Sequence, residues 1–246
     1  MVIGFAGSGN MARALAIGWH EPALFTDGGS GRASALAALV GGEALASNSD
    51  LGERAELLVL AHKPAQLEAV AAEVGKASVV LSLLGAVTLA QLQAAYPGAR
   101  IVRAMPNTAV EVRAGVTCVC GEEDAQVEEL LARVGIVVRL PERLMDPATA
   151  VSGVAPAYVA LIAEAWIDAA VAQGIPAAQA AELVGASLAG AAALLQERGM
   201  DTLGVRREVT SPGGMTARGL RALEQAGLRS AFANAAAAVA AGQSIK

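Results

Sequence analysis

Aromatic residues are scarce in this 246-residue chain, at 3%, and histidine and cysteine occur only twice each. With so few rings, the hydrophobic 54% of the chain is mainly Ala, Val and Leu. Small side chains let helices approach closely, and a chain this apolar must bury much of its surface in a core or an oligomer interface. Cys118 and Cys120 sit two apart in the strand-like run GVTCVC. Such neighbours share a face but are poorly placed to bridge, and without nearby His or further Cys they make no zinc site. They read as core thiols in a reducing cytoplasm. The N-terminus lacks a basic segment, since MVIGFAGSGNMA runs straight into a strand and a turn, so no secretory signal is expected. The most apolar uncharged run, Pro147 to Ala163, carries two prolines, a Gly and a Ser. It falls short of the ~20 residues of a spanning helix, so no membrane is expected. A net charge of −5 gives no basic footprint for a nucleic-acid partner.

What is present alternates. Up to about residue 140, short apolar runs (VIGFA, ALFT, ELLVLA, SVVLSLL, RIVRAM, GVTCVC, GIVVRL) are separated by Ala-rich stretches at helical spacing, such as NMARALAIGWH and DAQVEELLARV. Nearly continuous apolar strands of this length predict a buried parallel sheet with crossover helices, a doubly wound α/β domain. After Pro141 the pattern is helical only, with helices expected at 147–173, 176–198, 201–208, 213–226 and 228–242. The shift predicts a Rossmann-like domain over 1–145 and an all-helical domain over 146–246. The helices between 147 and 198 are apolar on most faces, which predicts burial against a second copy. Trp19 and Trp166 read as core anchors.

The first strand runs into Gly7-Ser8-Gly9-Asn10-Met11-Ala12. Gly-x-Gly-x-x-Ala between a strand and an amphipathic helix is a dinucleotide fingerprint. Gly7 permits the tight turn, Gly9 lets the backbone approach a pyrophosphate, and Ala12 allows close helix packing. Asp27, near the end of the second strand, is placed to bind a ribose 2′-hydroxyl of NAD; Ser30 and Arg32 in the same loop suit the 2′-phosphate of NADP. The residues leave that choice open.

Taken in order, GFAGSGNMA, LAHKPAQL, RAMPNTAVEVRAGVT, SGVAPAY and VTSPGGMTARGLRALE resemble the motifs of the pyrroline-5-carboxylate reductases, which make L-proline by reducing a cyclic imine. The resemblance spans essentially the whole chain. Met105-Pro106-Asn107-Thr108 and Thr210-Ser211-Pro212-Gly213-Gly214 are its most specific parts. It implies NADPH or NADH as cofactor, 1-pyrroline-5-carboxylate as substrate, and a homodimer built through interleaved C-terminal helices, often assembled further into rings. Cofactor contacts are implied for the Gly-rich turn, for Asn48 before the third strand, for Ala61, His62, Lys63 and Pro64, and for Leu83 and Leu84. Arg103 and Asn107 begin a loop at the carboxyl end of the sheet, and Asn107 joins the cofactor set. The family's Ser-Pro-Gly-Gly turn opens a helix whose amides hold the substrate carboxylate, which assigns Ser211, Gly213, Gly214 and Met215 to the substrate and sets Thr216 facing the ring nitrogen. The residue types agree, because Pro212 and two glycines expose backbone N–H groups at a helix start.

Departures from the family pattern are Val154 in Ser152-Gly153-Val154-Ala155-Pro156, His62 for a usual Val, Ala109 after MPNT, and Met215 just before Thr216. Val154 and Met215 reshape the substrate end, which keeps open a reductase of another cyclic or open-chain imine. A non-catalytic nucleotide-binding relative is the remaining alternative. His62 reads as a packing or cofactor-edge residue, and His20 as a helix C-cap.

Overall fold

A computed structural model describes residues 1–243. The chain divides into two compact units, one built on Met1–Pro156 and one on Ala157–Ala241.

The first unit holds strands β1 (Ile3–Ala6), β2 (Leu24–Thr26), β3 (Glu43–Ala44), β4 (Leu57–Leu60), β5 (Val79–Ser82), β6 (Arg100–Pro106), β7 (Gly115–Gly121) and β8 (Gly135–Arg139). Its helices are α1 (Asn10–Trp19), α2 (Arg32–Val40), α3 (Asn48–Arg54), α4 (Leu67–Val74), α5 (Leu89–Ala95), α6 (Ala125–Ala132) and α7 (Met145–Ala148). The strands form one sheet in the order β3-β2-β1-β4-β5-β6-β7-β8. Chain order reverses between β1 and β4, the switch point at whose carboxyl end such sheets bind ligands. The expected doubly wound architecture is therefore present. One pairing departs from the parallel expectation: β6 and β7 run antiparallel, with Arg103 opposite Cys120 and Met105 opposite Cys118. Only a short 3-10 turn, Thr108–Val112, lies between them, too little chain for the crossover that a parallel pair needs.

Strands β1 and β4 are buried along their whole length, as their unbroken apolar sequences require. Three of the aromatic rings meet at β1. Phe5 stacks on Phe25 at 5.1 Å and lies 5.7 Å from Trp19, whose Nε1 donates to the Leu130 carbonyl at 2.9 Å. Three elements have no counterpart in the apolar pattern. Strand β3 is two residues long, and α3 and α5 each bury a single residue, Leu51 and Leu92, so no period arises. Their signals are in the caps: Ser47 Oγ accepts from the Asp50 N–H, and Thr88 with Gln91 forms a reciprocal capping box. Arg103, expected at the start of a loop, is instead inside β6 and almost fully buried.

The helix expected over 147–173 is interrupted. Helix α7 passes into a π-turn at Thr149–Gly153, and α8 (Ala155–Ala172) follows. The second unit continues through α9 (Ala177–Glu197), α10 (Thr202–Glu208), α11 (Met215–Gln225) and α12 (Leu228–Gln243). In the single chain α8 buries none of its residues and α9 only Ala180 and Val184. Trp166 is 49% exposed, which corrects its reading as a core anchor of the monomer. Tyr158 meets Phe232 edge-on at 6.4 Å, beside an apolar groove of about 220 Å³ that Leu161, Ile162 and Leu228 also line. The runs Glu142–Ala172 and Ala177–Glu197 are long and apolar enough to cross a membrane by length and composition. An unburied apolar helix in one chain has two physical partners, lipid or protein.

Gly18 makes a local test of this packing. A Cβ there would lie 2.9 Å from Val134 Cγ1 and closer still to the Val110 carbonyl oxygen. In an open helix Gly→Ala gains about 1 kcal/mol; here backbone is the obstacle, and overpacking costs about 1–3 kcal/mol. Gly18→Ala is expected to lower unfolding stability in urea titrations, the opposite sign from its helix propensity.

Candidate functional site

The first unit carries a cavity of about 430 Å³ at the carboxyl ends of β1, β2 and β4. Gly7, Ser8, Gly9, Asn10 and Met11 supply its floor. Gly7 has φ +102°, and a Cβ on it would fall 2.6 Å from the His62 backbone nitrogen and 2.7 Å from the Ala61 carbonyl carbon. Only glycine allows that turn and that approach together. At Gly9 the nearest atom to an added Cβ is the Ala61 oxygen, 3.9 Å away, so the backbone is bare toward the cavity. Gly9 caps α1 without a side-chain hydrogen bond, and no acid occupies the first turn. The first N–H groups of α1 are thus free for an anion. Ser8 is tied down, its Oγ donating to the Thr26 carbonyl at 3.0 Å.

Asp27, Ser30 and Arg32 line the second side of the cavity. The Asp27 carboxylate is turned into its own loop. Oδ1 accepts from the Gly29 and Ser30 N–H groups at 2.8 and 3.2 Å, and Oδ2 from Ser30 Oγ at 3.0 Å and the Ala33 N–H at 2.8 Å. These bonds, with the Ala33 amide foremost, hold its pKa below the usual 3.8. Four donors use the acceptor capacity of one carboxylate. Arg32, by contrast, is exposed and has no ion-pair partner among the described residues.

Ala61, His62 and Lys63 form the third side. His62 Nδ1 lies 2.9 Å from the Lys63 carbonyl oxygen, which can only accept, so Nδ1 carries the proton. Its Nε2 is buried without a partner, and burial moves the His62 pKa below the ordinary 6.5. Gly28 and Gln66 also line the cavity, though the sequence reading singled out neither. Gly28 follows directly on Asp27, and the Gln66 side chain accepts from the Lys63 N–H at 3.2 Å, as a residue three positions into a turn commonly does.

Other candidates lie elsewhere. Asn48 opens α3, between β3 and β4; its Oδ1 accepts from Thr26 Oγ1 at 2.6 Å and its Nδ2 donates to Glu73 at 2.7 Å. Pro64 starts a 3-10 turn and lines a neighbouring groove with Leu67, Val87 and Gln91. Leu84 is a core residue and Leu83 packs partly buried against the core, which leaves their backbone as the polar surface they can offer. Asn107 is 6% exposed and lies just beyond β6, with its side chain bonded inside the unit. Val154 ends the π-turn of the first unit.

In the second unit Ser211–Gly214 forms a β-turn, the Gly214 N–H donating to the Ser211 carbonyl at 3.0 Å. Pro212 takes the second position and Gly213, with φ +69°, the third, as such a turn demands. Gly214 caps α11 with no side-chain bond, and the first turn carries no acid. Met215, at 82% exposure, and the exposed Thr216 are the first two residues of the helix.

A doubly wound sheet with a glycine-floored cavity at its switch point and an uncapped helix start above it defines a dinucleotide-binding protein of the Rossmann class. Comparison with known proteins narrows that class. Residues 2–85 match the family described as NADP oxidoreductase, coenzyme F420-dependent, and residues 142–244 match pyrroline-5-carboxylate reductase dimerisation. A pyrroline-5-carboxylate reductase of Methanosarcina acetivorans is 34% identical over 95% of this chain and 93% of its own. One from Synechocystis is 39% identical over 76% and 74%. The solved Plasmodium falciparum pyrroline carboxylate reductase with NADP bound superposes with a TM-score of 0.85 at 26% identity, covering 99% of this chain and 97% of that one. The chain belongs to the pyrroline-5-carboxylate reductase family.

His62 gives this site a pH signature. The unfolded chain takes up a proton near 6.5, whereas burial keeps the folded imidazole neutral to lower pH. Its contribution to stability is therefore complete above about 6.5 and is lost as pH falls through the lower folded value. Asp27 titrates in the separate carboxylate range. Tm measured from pH 7 to 5 is expected to fall less in His62→Val than in the unchanged protein. Parallel curves would contradict a buried neutral imidazole.

Proposed function

We propose that this chain reduces 1-pyrroline-5-carboxylate to L-proline with reducing equivalents from NADPH or NADH. The observation that carries the reading is the uncapped, acid-free start of α11 behind the Ser211–Gly214 turn, with Thr216 as the second helical residue. Such a start holds a carboxylate through backbone N–H groups, and the substrate bears one beside its imine. A nicotinamide held in the β1–β2–β4 cavity would supply a hydride to the imine carbon, the C=N electron pair going to nitrogen. Nitrogen gains its proton before or after that step. Thr216 can donate to a neutral imine or accept from an iminium N–H, which orients the ring without making the hydroxyl a strong acid. The reaction needs no buried base, unlike oxidation of an alcohol. The main task of the protein is to hold donor and acceptor carbons in reach of each other.

The cofactor side fits a dinucleotide because the cradle at Gly9 is bare and the α1 N–H groups are uncommitted. NADPH is preferred over NADH in this reading. The Asp27 oxygens are spent on their own loop, which removes the acceptor for a 2′-hydroxyl, while Ser30 and exposed Arg32 remain for a 2′-phosphate. The apolar faces of α8 and α9 are covered by a second copy in a cytoplasmic homodimer, and rings of such dimers are a further level of assembly. A division at 145/146 separates the cofactor-binding part from the part that carries the dimer surface and the carboxylate site. A second reading, reduction of a different imine, draws on Val154 and on Met215, whose side chain is 82% exposed at the start of α11.

Two substitutions test these assignments. Thr216→Ala is expected to lower kcat/KM for the imine about tenfold or more while NADPH affinity stays unchanged. Equal losses of cofactor affinity and turnover would remove Thr216 from the substrate site. Arg32→Ala should weaken NADPH binding by about tenfold and leave NADH unaffected, as loss of a charge-assisted phosphate contact requires. A uniform loss for both cofactors would contradict the 2′-phosphate assignment.

A further inference from the structure

We propose that Asn107 is a positioning residue that fixes the π-turn Thr149–Gly153, and with it Val154, rather than a direct contact of the cofactor. The inference rests on the reading that Ser152–Val154 borders the imine. It starts from a carbonyl that lacks its usual helical donor. A helical carbonyl accepts from the N–H four residues on. For Ser152 that residue is Pro156, which has no N–H.

Asn107 supplies a side-chain donor in its place, its Nδ2 lying 3.1 Å from the Ser152 carbonyl oxygen, toward which the Val154 N–H also points. The other end of the amide is also held. Oδ1 accepts from the Val116 N–H at 3.3 Å, and the Asn107 backbone N–H donates to the Val116 carbonyl at 3.1 Å. The side chain is therefore a strut between the start of β7 and the π-turn.

Strand alternation places Arg103, Met105 and Asn107 on one face of β6 and its extension. That face carries the whole segment from Glu142 to Ser152. Arg103 pairs with Glu142 at 3.4 Å and Asp146 at 3.3 Å, and Glu142 also accepts from the Leu89 N–H at 2.6 Å. Met105 packs against the cluster of Cys118, Cys120 and Met145. The turn itself is closed by Val154 N–H to the Thr149 carbonyl at 3.3 Å and by Ser152 Oγ to the Ala148 carbonyl at 3.1 Å. Asn107 is the far anchor of this segment, and it joins the MPNT motif to the SGVAP motif. The two motifs that the sequence presents separately are thus one mechanical unit. Loss of the strut removes the well-formed hydrogen bond to a part-buried carbonyl at the position that sets the Val154 backbone.

The test uses Asn107→Ala, Pro156→Ala and the double variant in the full-length protein. Amide hydrogen exchange over 149–154, NADPH affinity by fluorescence titration, and steady-state kinetics with 1-pyrroline-5-carboxylate are measured on each. Asn107→Ala is expected to speed exchange in the turn and raise KM for the imine about tenfold, with NADPH affinity held within about twofold. Adding Pro156→Ala restores an N–H four residues after Ser152 and should recover most of both losses. Asn107→Asp, which keeps an acceptor for Val116 while replacing the donor by a charged carboxylate oxygen, covers the case in which the alanine variant does not fold. NADPH affinity falling as far as KM rises, unaltered exchange, or no recovery in the double variant would each overturn the proposal. If the unchanged protein does not reduce this imine, the substrate reading fails, while the exchange pattern still decides whether the strut exists.

Discussion

A helix start without a side-chain cap leaves N–H groups that only solvent or a ligand can satisfy, and the arrangement of this chain depends on where it leaves them. Four helices of the chain are capped by side chains. Ser47, Thr88, Asp124 and Asp201 each accept from backbone N–H groups at the starts of α3, α5, α6 and α10. The starts of α2, α4, α7 and α9 have no such cap, and at α1 and α11 Gly9 and Gly214 take the cap position with no acid in either first turn. A bare, positively polarised helix end attracts anions. In the proposed reaction one such end meets a pyrophosphate and the other a carboxylate, so the two uncapped starts bind the two reactants by the same physics. The sheet supports the first by letting Gly7 press against the Ala61–His62 backbone, which sets the height of α1 over the cavity.

Much of this was legible in the sequence because the relevant signals are local. The Gly7–Ala12 fingerprint depends on backbone freedom at fixed offsets, and the Ser211–Gly214 turn depends on Pro and Gly at fixed positions. Neither needs knowledge of distant residues. Strands such as β1 and β4 were legible for a related reason: being buried on both faces they read as unbroken apolar runs. The helical second unit was legible from its composition, although a pattern cannot say which partner covers an apolar face. Trp166 shows this limit, since it carries the composition of a core residue and is half exposed in the single chain.

What the sequence could not show depends on hydrogen bonds between distant or unpatterned residues. The sequence leaves Asp27 and the Ser30–Arg32 pair as alternatives at the ribose, and does not show that the Asp27 oxygens accept from Gly29, Ser30 and Ala33. The sequence places Asn107 in the cofactor set but does not show its amide bridging Val116 and Ser152. Short elements escaped for want of a period: β3 has two residues, and α3 and α5 bury one leucine each. The antiparallel β6–β7 pair was concealed by apolar strands that look alike in either direction, and only the shortness of the chain between them distinguishes the cases.

The central claim is a hydride transfer to an imine carbon, and isotope transfer tests it most directly. The protein would be incubated with 1-pyrroline-5-carboxylate and NADPH deuterated at both nicotinamide C4 positions, and the product examined by mass spectrometry and NMR. The account predicts L-proline carrying one deuterium on the ring carbon that had been double-bonded to nitrogen. Proline without the label, or consumption of neither reactant by protein shown to bind NADPH, would contradict it.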